Sequence, residues 1–129
     1  VQKSMYPQVD PTVFVYAKKG TDLNLHLDKI KGYNAASTGA TAWKESVYEG
    51  DDYLQKMLSE KKGNVVVLAG NNQLKTDYIL HSIQSGLNVF ADKPMVIDEK
   101  GFLKLKSAFK LAQEKKLLLL TFRGLLQWL

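Results

Sequence analysis

Cysteine is absent from the 129-residue chain, which excludes disulfides, thiolate zinc sites and cysteine nucleophiles. Arginine occurs once, at Arg123, and the scattered lysines are interleaved with acidic residues, so we expect no nucleic-acid partner. No apolar run reaches the ~20 residues that a bilayer span needs, so we expect no membrane partner either. Only two histidines are present, and the spacing of the acidic residues around them suggests no metal site. For His26 and His81 we expect surface or packing roles.

The composition is that of an ordinary globular protein, with 45% hydrophobic and 24% charged residues. The length fits one domain with a real hydrophobic core, which we place at residues 1–120, followed by an atypical tail at 121–129. The chain starts at Val1 without a basic-then-apolar leader, so we expect its natural start to lie further upstream. We expect a cytoplasmic location and leave a periplasmic one open, because a lost start could have carried a signal.

Segments of strand length alternate with segments of helical spacing along the chain. Apolar and β-branched runs predict strands at 12–17, 64–69, 87–91 and 117–121, with a shorter extended piece at 43–47. Spacings of three and four predict helices at 23–30, 51–62, 74–85 and 99–116, the last with Asp98 as its N-cap. The runs at 12–17 and 64–69 are expected to be buried strands, the second covered on both faces. This alternation predicts an α/β fold with a doubly wound parallel sheet.

Ligands of such sheets bind at the carboxyl ends of the strands, which singles out three loops, at 17–20, 70–72 and 92–94. After the second of these strands, Asn71 and Asn72 offer amide groups beside backbone N–H donors, although Asn72 is equally well interpreted as a helix N-cap. After the next strand, Lys93 stands between Asp92 and Pro94, which predicts a positioned ammonium group rather than a mobile surface charge. A plain turn is the alternative interpretation of that tripeptide.

The order of these motifs from Asn64 to Leu119 resembles the second half of the nucleotide-binding domain of the glucose-fructose oxidoreductase/inositol dehydrogenase (Gfo/Idh/MocA) family. In that family a strand ends in Ala-Thr-Pro-Asn or similar, and the next strand is followed by Glu-Lys-Pro. Ala69-Gly70-Asn71-Asn72 and Asp92-Lys93-Pro94-Met95 stand at the corresponding positions here. The resemblance implies a Rossmann-like fold, NAD or NADP as cofactor, and a sugar or polyol as substrate. It makes Lys93 the catalytic candidate, and the cofactor-binding candidates are Ala17, Lys18, Ala69, Gly70, Asn71, Asn72, Asp92, Lys93 and Pro94.

The sequence departs from the family pattern at several points, and these departures lead to further predictions. The glycine-rich turn that holds the pyrophosphate would precede the strand at Thr12 and is absent, as is the substrate domain. Lys18 follows Ala17 where relatives often have an acid for the ribose, which would suit a 2′-phosphate. Lys75 stands where relatives often have a histidine. We therefore expect a partial domain that lacks its first strand, binds dinucleotide weakly or not at all, and leaves an apolar groove that a second copy covers in a homo-oligomer.

Two functions follow from these features. The first is a fragment of an NAD(P)-dependent oxidoreductase acting on a sugar or polyol hydroxyl, expected to be inactive alone, in which Lys93 relays the hydroxyl proton or orients the hydroxyl. The alternative is a non-catalytic ligand-binding or regulatory module on a Rossmann scaffold, since a fold by itself does not fix a function.

Overall fold

The computed structural model describes residues 10–70 and 72–122, and within them helices and strands alternate strictly. The strands are β1 (Thr12–Tyr16), β2 (Lys44–Tyr48), β3 (Val65–Leu68), β4 (Asn88–Asp92) and β5 (Leu119–Phe122). The helices are α1 (Thr21–Asn34), α2 (Tyr53–Glu60), α3 (Lys75–Gln84) and α4 (Glu99–Lys115). Each predicted helix and strand corresponds to one of these elements. In the described part of the chain, no helix combines the length and the apolar character that crossing a bilayer would require.

All strand pairs in the described residues are parallel. One sheet contains β1 and β2, and the other has the order β3-β4-β5. The chain divides into two compact units at Met57 and Leu58, with one sheet in each. The sequence predicts a parallel sheet, and the parallel pairing of β3 with β4 confirms it. The fold is therefore a Rossmann-like parallel α/β fold.

In the first unit, the end of α1 fixes the loop that leads into β2. The Asn34 side chain donates to the Trp43 carbonyl at 2.8 Å and accepts from the Trp43 N–H at 3.0 Å. The Thr41 hydroxyl donates to the same amide oxygen at 2.6 Å. His26, for which a surface or packing role was expected, is exposed and hydrogen-bonded to Glu45 at 2.7 Å. The segment 35–43 is thus tied to α1 by one side chain.

The expectation that β1 is a buried strand is wrong for most of its length. Val13 is 36% exposed and Phe14 is 42% exposed. The physical reason is that Leu23 is the one buried residue of α1, so this helix covers little of the apolar surface of β1. An apolar run predicts a strand correctly, but it does not show how many of its side chains another element will cover.

The core of the second unit lies where α3 and α4 pack against one face of its sheet. Its buried members are Ile79, Ile83, Val89, Ala91, Leu105, Ala108, Ala112 and Leu119. Because these helices lie against the face that carries Val89 and Ala91, the alternate residues Val65 and Val67 of β3 remain 44% and 61% exposed. The expectation that both faces of this strand are covered is therefore wrong for the described residues. Self-association through such exposed apolar groups stays a prediction.

Strand β5 extends through Phe122, so the strand includes the first residues of the segment 121–129 that was predicted as a tail. The rest of that segment, residues 123–129, lies outside the described residues, as does the stretch 1–9. The assignment of one domain at 1–120 stays a prediction.

Helix α4 begins with the N-cap that the sequence predicts. Asp98 has extended backbone angles, and its carboxylate accepts a hydrogen bond from the Gly101 N–H at 2.6 Å. We expect Asp98→Ala to lower the free energy of unfolding by about 0.5–2 kcal/mol, because one N–H of the first turn loses its acceptor. Asp98→Asn, which keeps an acceptor oxygen, should cost much less in the same urea titration. Equal losses in the two variants would contradict the capping role.

Candidate active site

The carboxyl ends of β3 and β4 lie side by side, because Leu68 is in register with Ala91 in the parallel ladder. Ala69, Gly70 and Asn72 follow the end of β3, while Asp92 is the last residue of β4. Two of the predicted loops therefore meet at one edge of the sheet, as the strand-end rule requires. Asn71 lies outside the described residues.

Lys75 connects the two strand ends. Its side chain is 1% exposed, and its ammonium nitrogen donates to the Asn72 amide oxygen at 2.6 Å. The same nitrogen donates to the Asp92 carbonyl at 3.3 Å and to the Asp92 carboxylate oxygen Oδ1. An ammonium group has three N–H donors, so these contacts use all of them. The buried ammonium group is thereby paired with a carboxylate, which offsets part of the cost of its burial.

The position of Lys75 within its helix adds to the cost of its positive charge, which the pairing with Asp92 offsets. Lys75 is the first residue of α3, where the helix dipole disfavours a positive charge. The N-cap residue of this helix is Leu74, which supplies no side-chain hydrogen bond. The interpretation of Asn72 as the N-cap is therefore wrong. Its amide oxygen accepts from the Lys75 ammonium instead, since a charge-assisted hydrogen bond is the stronger one.

Lys93 differs from Lys75 in its surroundings. Its side chain is exposed, and no hydrogen bond or ion pair joins it to any other residue in the described part of the chain. The peptide bond between Lys93 and Pro94 is cis. The expectation of an ammonium held in place by its neighbours is thus met by Lys75 and not by Lys93. The charge of Lys93 remains accessible to a ligand at the same strand end.

The segment after Pro94 is anchored to both helices of the second unit. The Thr76 hydroxyl donates to the Met95 carbonyl at 3.1 Å, and the side chains of Met95 and Val96 pack against the core. A Cβ added at Gly101 would lie 3.0 Å from both Val96 and Asp98. The close packing at Gly101 leaves little room for this segment to move. Lys93 therefore projects from a short loop fixed on one side by β4 and on the other by Met95.

Two further candidates, Ala17 and Lys18, lie in the first unit. The Ala17 N–H donates to the Tyr48 carbonyl at 3.1 Å, which extends the β1–β2 ladder by one residue. Lys18 is exposed and makes no ion pair with another described residue. Its assignment to a 2′-phosphate stays a prediction.

The strand ends of the second unit present two features to a ligand. A Cβ added at Gly70 would meet no atom within 4 Å, so the backbone there is open to close approach. Lys93 supplies an uncommitted cationic donor. Within residues 10–70 and 72–122, no group of three potential metal ligands is present. The open backbone at Gly70 and the uncommitted ammonium of Lys93 would suit a polar organic ligand.

An open cleft of about 520 Å³ lies elsewhere in the second unit, between α4 and β5. Its lining comes mostly from Phe109, Ala112 and the leucines at 117–120. It includes none of the strand-end residues and has one charged group, Lys110. The strand ends are therefore a better candidate for a catalytic site than this cleft.

Sequence reasoning missed the role of Lys75, which it noted only as a departure from the family pattern. A usable signal was present, because a lysine at the first position of a helix is unfavourable unless an acid compensates it. The acid is Asp92, which the sequence already marked as a strand-end residue. His81, for which a surface or packing role was expected, is exposed on α3.

The parallel strands and the polar cluster at their carboxyl ends define the chain as a Rossmann-type α/β domain. The oxidoreductase family with an NAD-binding Rossmann fold, GFO_IDH_MocA, matches residues 17–122. The chain belongs to this family, as the motif resemblance predicted. No curated protein matches the chain significantly.

Solved structures share the fold of this chain. A Parabacteroides merdae protein described as an oxidoreductase is 49% identical over 90% of this chain and 26% of its own, with a TM-score of 0.87. Biliverdin reductase from Synechocystis, solved with biliverdin and NADP+, is 16% identical over 87% of this chain and 38% of its own, with a TM-score of 0.54. The WlbA dehydrogenase from Bordetella pertussis, solved with NADH and UDP-GlcNAcA, is 16% identical over 84% of this chain and 35% of its own, with a TM-score of 0.51. The last two similarities show the fold alone. The chain spans about a quarter to two fifths of the length of these proteins.

Proposed function

We propose that this chain forms the strand-end part of the nucleotide site in an NAD(P)-dependent oxidoreductase that acts on a sugar or polyol hydroxyl. One observation carries the proposal. The Asn72–Lys75–Asp92 cluster, in which Lys75 is buried, joins the ends of two parallel strands, and the accessible Lys93 follows Asp92 directly. The chain belongs to a family with an NAD-binding Rossmann fold, and ligands of such sheets bind at the carboxyl ends of the strands.

Lys93 is the proposed catalytic residue. Oxidation of a hydroxyl to a carbonyl removes a hydride from carbon and a proton from oxygen, and the bound nicotinamide would supply only the hydride acceptor. The hydroxyl oxygen must also be held in place while a base takes its proton. Lys93 Nζ is suited to donate a hydrogen bond to that oxygen, because no described side chain occupies its N–H donors. Lys75 is not, because all three of its N–H donors are engaged.

NAD and NADP are both compatible with the proposal. NADP+ is present in the biliverdin reductase structure and NADH in that of the WlbA dehydrogenase. An exposed cation at Lys18 would favour a 2′-phosphate if that residue contacts the cofactor. The sugar nucleotide UDP-GlcNAcA in the WlbA structure is consistent with a hydroxyl-bearing substrate. A sugar or polyol is the substrate class that these observations support best.

The proposal is tested by titrating the ¹⁵N-labelled chain with NADH and with NADPH up to millimolar concentrations. We expect saturable shifts of the backbone amides of Gly70, Asn72 and Lys93. Lys93→Met should weaken the affinity about 3- to 10-fold, as loss of one hydrogen bond to a ligand does. Lys100→Met, which removes an exposed charge on α4, serves as the matched control and should leave the affinity unchanged. Shifts that do not saturate, or equal affinities for Lys93→Met and the parent chain, would contradict the proposed site.

A further inference from the structure

We propose that Lys75 is a positioning residue for this site, one whose buried ammonium group fixes the side chains of Asn72 and Asp92 in the orientation that a ligand meets. The inference rests on the proposed function for the identity of that ligand. It does not rest on it for the positioning itself, which is a property of the side chains.

The first support is that Lys75 cannot act on a ligand directly. It is 1% exposed, and its three donors are used on Asn72 Oδ1, Asp92 Oδ1 and the Asp92 carbonyl. Any effect of Lys75 on binding must therefore pass through the two residues that it holds.

The second support is what these bonds leave available. With Oδ1 of Asn72 engaged by Lys75, the Nδ2 group is the free end of the amide, and it makes no hydrogen bond to another described residue. With one carboxylate oxygen of Asp92 engaged, the other has no partner among the described residues, and the side chain is 25% exposed. One ammonium group thus leaves a donor and an acceptor free at neighbouring strand ends, each on a side chain that has lost its rotational freedom.

The third support is that stability alone does not explain Lys75. A positive charge at the start of a helix is disfavoured, and a buried ion pair is often no more stabilising than apolar residues of the same volume. Orientation of the two polar side chains is what an apolar residue at this position could not supply. Ordering side chains before a ligand arrives lowers the entropic cost of binding.

The test compares the parent chain with Lys75→Met, which keeps the length of the side chain and removes its donors. Lys104→Met is the matched control, because Lys104 also donates to an aspartate, Asp77 at 2.5 Å, but at the surface between α4 and α3. The first readout is the χ1 rotamer distribution of Asn72 and Asp92 from three-bond couplings, and the second is the affinity for NADH. We expect single rotamers in the parent chain and in Lys104→Met. In Lys75→Met we expect rotamer averaging at both residues and an affinity about tenfold weaker.

Single rotamers of Asn72 and Asp92 in Lys75→Met would overturn the proposal. If Lys75→Met does not fold, the parent chain decides the question. Asn72 and Asp92 should each occupy one χ1 rotamer there before any ligand is added, and averaging at either residue would overturn the proposal. A further outcome is that the rotamers average in Lys75→Met as expected while NADH binds neither the parent chain nor any variant. In that case the positioning role stands and the proposed function fails.

Discussion

Asp92→Ala is expected to lower the free energy of unfolding by about 3–5 kcal/mol, which is the cost of removing one partner from a buried ion pair. This loss of stability is large for a point substitution, because the residue left without a partner is Lys75, the less accessible member of the pair. Lys75 is 1% exposed, whereas the Asp92 side chain is 25% exposed. Without the carboxylate, an ammonium group stays buried at the positive end of α3 with only neutral acceptors.

Asp77→Ala provides the control for this prediction. Asp77 also pairs with a lysine and also lies on α3, but both members of its pair with Lys104 are well exposed, at 38% and 48%. A surface pair of this kind contributes about 0–1 kcal/mol. Both variants are compared by urea unfolding followed through NMR signals of the second unit, because a chain with two compact units need not unfold in one step. A loss for Asp92→Ala no larger than that for Asp77→Ala would contradict the description of the site.

Ile79→Ala is expected to cost about 2–5 kcal/mol, because it removes buried methylene and methyl groups and leaves a cavity. Ile79 is 0% exposed and belongs to the cluster that joins α3, α4 and β4. A loss of this size is a large share of the about 5–15 kcal/mol that stabilises a typical domain. The measurement is again the urea midpoint and slope of signals from that unit.

Ile97→Ala removes the same atoms from a side chain that is 57% exposed. Its cost should stay below about 1 kcal/mol, since most surface substitutions change stability by no more than about 0.5 kcal/mol. Equal losses for the two isoleucines would show that the core is not where the structure places it.

Local signals in the sequence were sufficient for the elements of the fold. Asp98 caps α4 as predicted because capping depends on residues three apart in the chain. The strand at 65–68 was recognisable from its apolar run and the turn residues around it. These features require no knowledge of distant parts of the chain.

Features that depend on tertiary packing were predicted less well. The exposure of Val67 depends on which face of the sheet α3 and α4 cover, and an apolar strand does not carry that information. The contact between Lys75 and Asp92 joins residues 17 apart and exists only because β3 and β4 are neighbours in register. The sequence could place both residues near strand ends, but it could not show that one ammonium group would be buried between them while Lys93 remained accessible.

The central claim is that the strand-end cluster and Lys93 face a nicotinamide cofactor. It is tested most directly by isotope-filtered nuclear Overhauser measurements on the labelled chain with NADH in excess. The account predicts cross-peaks from the nicotinamide ring protons to the side chains of Lys93 and Pro94, together with saturable shifts at Gly70. Saturable binding in which the ring protons give cross-peaks to other parts of the chain, and none to residues 70–94, would contradict it.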